Sequence, residues 1–178
     1  MKLPILVYPD KRLKQQSRPV TDFDEKLHKL LDDMNETMTA SNGIGLAAIQ
    51  VGEPIRALLI NLPDEEGDQY PENLIEVINP VILEKRGSTT YTEGCLSVPE
   101  YYDDVERAEW IRVEFQDRHG EKKEIETDGL LAIAFQHEMD HLDGHLFIEK
   151  LSFLKRKKFE KEWKKKLKEL KEKRAKAS

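Results

Sequence analysis

The chain has 178 residues, of which 36% are charged and 38% hydrophobic, with a net charge of −6. That length suits one domain with a real core, and the charge density suits a soluble protein; no apolar run approaches the ~18 residues of a membrane span. The single cysteine, Cys95, excludes an internal disulfide and favours a reducing compartment.

Along the chain, MKLPILVYPDKRL carries too short an apolar run for a signal peptide, broken by Pro4, Pro9 and Asp10, so a cytoplasmic location is expected. Asp22 is the expected N-cap of a first helix, with Glu25 at the capping-box position. Leu27, Leu30, Leu31, Met34 and Met38 then follow helical spacing, and Gly43 is the expected stop. GIGLAAIQVG follows as a glycine-bounded apolar segment closed by Gln50. Residues 56–62 and 74–83 predict strands joined by the acidic loop PDEEGDQYPEN, and residues 89–98, which hold EGCLSV, also predict extended chain. Ile111, Val113 and Phe115 alternate, and DRHG predicts the turn of a hairpin into residues 122–125. A second helix, capped by Thr127 or Asp128, is apolar on most sides and should be central and buried, ending at Gly144. A third begins near Ser152. Strands with separated helices predict an α+β fold: one domain of antiparallel sheets around a central helix, plus a C-terminal helix.

The central helix carries QHEMDHLDG. His137 and His141 stand four residues apart, one turn along a single helix face, with Glu138 beside the first. Two imidazoles so spaced can hold one metal ion, and the carboxylate can act on the water that it activates. Buried histidines need partners, and a metal provides one. A thiolate from Cys95 would fill a third tetrahedral position and leave the fourth open, as catalytic sites do.

Three phrases in order, GIGLAAIQ (residues 43–50), EGCLS (93–97) and QHEMDHL (136–142), resemble the signature motifs of the bacterial peptide deformylases. YPD at residues 8–10 and DGLLAIA at 128–134 are similar as well, and the likeness runs from about residue 3 to 152. The resemblance implies metal-dependent removal of the formyl group from N-formylmethionyl nascent polypeptides, with release of formate. It implies Cys95, His137 and His141 as ligands, with Fe(II) the expected ion and Zn(II), Ni(II) or Co(II) as substitutes. It implies that Glu138 moves a proton from water to the leaving amine, and that the Gln50 amide and the Leu96 backbone N–H stabilise the oxyanion. A substrate strand is expected along Ile44, Gly45 and Leu46, and Ile44, Leu130, Ile133 and Ala134 are candidates to line the methionine pocket. Glu93 and Arg107 are expected to pair behind Cys95 and fix its segment. The chain departs from the pattern at Tyr102, where many bacterial members have an arginine that helps hold the substrate backbone.

Two rivals share some of these features. A zinc endopeptidase would take a third ligand downstream, where His145 and Glu149 lie, but leaves EGCLS unexplained. A non-enzymatic RNA-binding module would need a closed four-ligand site. The stretch from Lys155 to Ser178 holds thirteen Lys or Arg against four Glu, a balance of +9 that leaves −15 for the rest. Phe159, Trp163, Leu167 and Leu170 recur there at helical spacing. Residues 1–154 are accordingly expected to form the catalytic domain and residues 155–178 a basic helical extension. That extension either packs on the body through its stripe or meets ribosomal RNA through its charges.

Overall fold

Residues 1–177 are described by a computed structural model. Ser178, the last residue of the basic stretch, lies outside it, as do the side chains of Arg174 and Ala177. The strands are β1 (Gly45–Ala47), β2 (Ala57–Ile60), β3 (Ile75–Arg86), β4 (Thr89–Cys95), β5 (Val98–Arg107), β6 (Trp110–Gln116) and β7 (Lys122–Asp128). The helices are α1 (Glu25–Ala40), α2 (Gly129–Leu142) and α3 (Phe153–Ala177). One antiparallel sheet runs in the order β1-β2-β3-β6-β7, and β4 and β5 form a separate antiparallel hairpin. The α+β architecture expected from the sequence is therefore the one observed.

Strand alternation divides the sheet between two helices. Leu58, Ile60, Val77, Ile111, Val113 and Phe115 face α2 and meet Ala132, Phe135 and Leu142. Ala57, Leu59 and Ile78 face α1 and meet Leu27, Leu31, Met34 and Met38. All four residues of β2 are buried because both its faces are covered, which is why its sequence is an unbroken apolar run. The hairpin β4–β5 closes over the other side of α2, so α2 is enclosed from several directions.

The helix ends differ in part from expectation. Asp24, not Asp22, caps α1, its side chain accepting from the Leu27 N–H at 3.1 Å. Phe23 is held against the turn at Gly120 and so stays outside the helix. At the other end α1 stops at Ala40. Asn42 takes the left-handed conformation (φ 56°), and the Gly43 N–H reaches back to the Met38 carbonyl at 2.9 Å. Asparagine here fills the role usually given to glycine. Helix α2 begins after Asp128 and ends as predicted before Gly144, whose φ is 82°. A side chain on Gly144 would also strike the Lys14 carbonyl oxygen, at 2.3 Å from an ideal Cβ.

Strand β5 is absent from the sequence-based expectations, and β7 runs three residues beyond its expected end at Ile125. The tail stripe packs on the body. Phe159 and Trp163 are buried with Tyr8, Val98, Val105, Phe147 and Leu151, and Leu167 packs at the margin. The Trp163 indole N–H donates to the Tyr8 carbonyl at 2.9 Å, and the Tyr8 hydroxyl donates to Glu160 at 2.6 Å. Lys155 and Lys166 add ion pairs to Asp103 and Glu100 on β5.

Candidate metal centre

Helix α2 presents His137 and His141 on the face turned toward the hairpin, and β4 ends there at Cys95. One ligand atom from each of these three residues lies within 4.8 Å of the others. The Cys95 Sγ is 3.4 Å from His141 Nε2. His145 lies elsewhere: it is exposed and turned to Glu149 at 3.2 Å.

The ring orientations suit a cation at this point. His137 Nδ1–H donates to Glu93 at 2.8 Å, which turns its Nε2 toward the centre. Glu93 is itself gripped by Arg107 through two bonds of 2.8 Å, and Arg107 also donates to Asp140 at 2.6 Å. Burial opposes the charge on Glu93, yet Arg107 and His137 hold its carboxyl below the usual carboxylate range. The expected pairing of Glu93 with Arg107 is thus present, and it reaches the His137 ring as well as the Cys95 segment.

Glu138 lies beside the three donors, its Oε1 3.7 Å from His137 Nε2 and 4.0 Å from His141 Nε2. Burial pushes its carboxyl up to about 7. Its Oε2 is buried with no hydrogen-bond partner among the described residues, and the same holds for His141 Nδ1. Burial also drives the His141 imidazole well below its ordinary range, helped by positive charge at His137 and Arg107. At His137 burial pulls the same way, but the Cys95 sulfur and Glu93 outweigh it and raise the group. A sulfur and two imidazole nitrogens, largely withdrawn from water, make a donor set that fits a divalent transition metal, with the Glu138 carboxylate beside it.

A cavity of about 490 Å³ opens on this cluster. Ile44, Gly45, Gln50, Glu93, Leu96, Leu130, Ile133 and Ala134 line it together with Cys95, His137 and Glu138, and Tyr91 and Tyr102 stand at its rim. Leu46 does not reach it. Its neighbours in β1 are turned the other way, and it is fully buried under α1. Strand β1 is the edge of its sheet, pairing only with β2. The Ile44 carbonyl accepts from Asn61 on the β2 side, so alternation turns the Gly45 N–H and carbonyl outward.

Gln50 points inward, as its place at the end of an apolar run suggested. Its side-chain carbonyl accepts from the Ala47 N–H at 2.9 Å, and its amide donates to Ser97 Oγ at 3.0 Å, with the Cys95 sulfur at 3.5 Å. Ser97 and Gln136 are buried polar residues that sequence reasoning missed. Ser97 is the last letter of EGCLS. Gln136 precedes the first histidine and clamps both backbone groups of Ala108, at 3.0 and 2.9 Å.

Comparison with known proteins agrees with this geometry. The family profile described as polypeptide deformylase matches residues 2–157. The chain is 61% identical over 163 residues to a peptide deformylase of Wolinella succinogenes, covering 92% of this chain and 96% of that protein. It is 61% identical over 171 residues to one of Nautilia profundicola, covering 96% and 98%. The crystal structure of a peptide deformylase from Legionella pneumophila superposes with a TM-score of 0.87 at 42% identity, covering 98% of each chain. A profile match over most of the chain, with relatives this similar along nearly their whole length, establishes that the chain belongs to the polypeptide deformylase family.

Proposed function

We propose that Cys95, His137 and His141 ligate the catalytic metal and that Glu138 is the proton carrier of the reaction. The activity is that of the family: hydrolysis of the N-formyl group of N-formylmethionyl nascent polypeptides, with release of formate. The observation that carries the residue assignment is the convergence of three atoms able to ligate a metal beside a buried carboxylate whose Oε2 has no hydrogen-bond partner among the described residues, on the wall of a largely apolar cavity.

When bound, a divalent ion supplies Lewis acidity and brings the pKa of water toward neutrality. The chain's own residues do the rest. Glu138 takes a proton as water adds to the formyl carbon, then delivers it to the methionine nitrogen as the C–N bond breaks. Its carboxyl, held near neutrality by burial, is suited to both halves of that transfer. The Gln50 amide, fixed by Ser97 and Ala47, and the Leu96 backbone N–H face the oxyanion. The outward peptide groups of Gly45 pair with the substrate backbone as an added strand. Ile44, Leu130, Ile133 and Ala134 receive the methionine side chain, and Leu46 serves only through its place in β1. Tyr102, at the cavity rim, replaces a cationic contact to the peptide with an aromatic one.

Fe(II) is the ion we propose, with Zn(II), Ni(II) and Co(II) as substitutes, since sulfur and imidazole donors suit all four. A reducing cytoplasmic setting fits the free thiol of Cys95. Among the described residues no helix is long and apolar enough to cross a membrane. We divide the chain into a catalytic body, residues 1–154, and a basic helical extension, residues 155–178, that is not a separate domain. Burial of Phe159 and Trp163 against the body supports the last point. The opposite face of that helix exposes Lys161, Lys165 and Lys168, which suits a contact with ribosomal RNA. Replacing these three by Glu abolishes salt-sensitive ribosome binding if that contact exists; equal binding by both proteins at low salt rules it out.

The assay for the main reading is formate release from a formyl-methionyl tripeptide, with the unformylated tripeptide as control. Formate from the first and no cleavage of the second supports it; internal cleavage of either peptide contradicts it.

A further inference from the structure

His137 and His141 are not supported alike. His141 is wholly buried and its Nδ1 has no hydrogen-bond partner among the described residues. His137 instead begins a chain of charges: Nδ1–H to Glu93, Glu93 to Arg107, Arg107 to Asp140, and Asp140 to Lys150 at 3.8 Å. Asp140 lies one turn after His137 on α2 but faces away from the active site, onto the wall of a second cavity. Its side chain is 27% exposed, whereas those of Arg107 and Glu93 are each 3% exposed. The outer end of the chain is therefore reached by solvent, while the inner links are not.

We propose that Asp140 is a positioning residue for the metal centre, setting through Arg107 and Glu93 how firmly His137 holds the ion. This rests on the assignment of His137 as a ligand. A buried guanidinium shared between two carboxylates divides its attraction between them. With Asp140 replaced by asparagine, Arg107 has Glu93 as its one full counter-charge among the residues it bonds and draws that carboxylate toward itself. Glu93 then accepts less strongly from His137 Nδ1–H, and the imidazole becomes a weaker, less fixed donor at Nε2. His141 Nδ1 has no matching partner among the described residues to compensate.

The test loads the full chain with Ni(II) and follows metal transfer to excess EDTA by atomic absorption. KM for formyl-Met-Ala-Ser and the thermal midpoint are measured on the same samples. Asp140→Asn loses metal roughly three- to tenfold faster than wild type, with KM unchanged; the lower end reflects action through two intervening residues. Asp140→Glu restores slow loss. Asp143→Asn is the control, because Asp143 lines the same cavity but pairs with Arg56 at 3.0 Å and not with Arg107. Metal loss from Asp140→Asn at the wild-type rate overturns the proposal. So does equally fast loss from Asp143→Asn, or fast loss and a lowered midpoint in Asp140→Asn and Asp140→Glu alike. A wild-type chain that takes up no ion overturns the ligand assignment and this inference with it; slow loss from both wild type and Asp140→Asn overturns the inference alone.

Discussion

Gly45 and Glu138 are in direct contact across the active site: an ideal Cβ on Gly45 would stand 2.9 Å from the Glu138 carboxyl carbon and 3.0 Å from its Oε2. The edge strand proposed to offer its backbone to substrate thus also walls in the carboxylate proposed to carry the proton. Sequence reasoning assigned this glycine to close approach of the substrate, and the structure adds a second demand from the opposite side.

Gly45→Ala is expected to fold, because the group in its way is the far end of a side chain that can swing aside. The Glu138 carboxylate then leaves its place. A displacement near 1 Å in a reacting group can cost about 10²-fold in rate. Steady-state kinetics should show kcat lowered by about ten- to a hundredfold, with metal content near wild type. An unchanged kcat would mean that Glu138 tolerates movement.

Cys95→Ser exchanges a thiolate for a harder, poorer ligand. Metal retention during dialysis should fall, and preference should move away from thiophilic ions. Air is expected to inactivate the Fe(II) form through the iron and the Cys95 sulfur, the only thiol of the chain. Full activity of a verified iron form after prolonged aeration would contradict that cause.

Trp163→Ala removes a buried indole and its hydrogen bond to the Tyr8 carbonyl, 155 positions away in sequence. Large-to-small changes of this kind cost about 3–5 kcal/mol. Denaturant unfolding should show that loss, while the folded fraction keeps its kcat. Truncation after Leu154 strips both Phe159 and Trp163 and should destabilise further. A truncated chain as stable as wild type would show that the packed stripe contributes nothing.

The motifs, the central helix and the α+β plan were legible because each rests on local spacing: four residues for the histidines, two for β6, and a glycine where α2 ends. Strand β5 was not. VPEYYDDVER has charged or polar residues at most positions, because one face of the hairpin is open to water and only Val98, Val105 and Arg107 are buried. Leu46 was expected only along the backbone offered to a substrate strand; that its side chain packs under α1 depends on register, which one apolar run does not show. The tail stripe was legible as a stripe, but not its partner, since Tyr8, Tyr101 and Phe147 come from three distant segments. Ser97 carried no signal beyond its motif, and its role appears only once Gln50 is seen to bond it.

The most direct test of the account uses Glu138→Gln, with metal content and formate release measured on one sample. Glu138 is assigned to proton transfer and not to the ion, so the two properties should separate. The account predicts wild-type metal content, one ion per chain, with formate release lowered by about 10²–10⁴-fold. Loss of the metal together with activity would show that Glu138 ligates the ion, and wild-type turnover would show that the proton moves by another route.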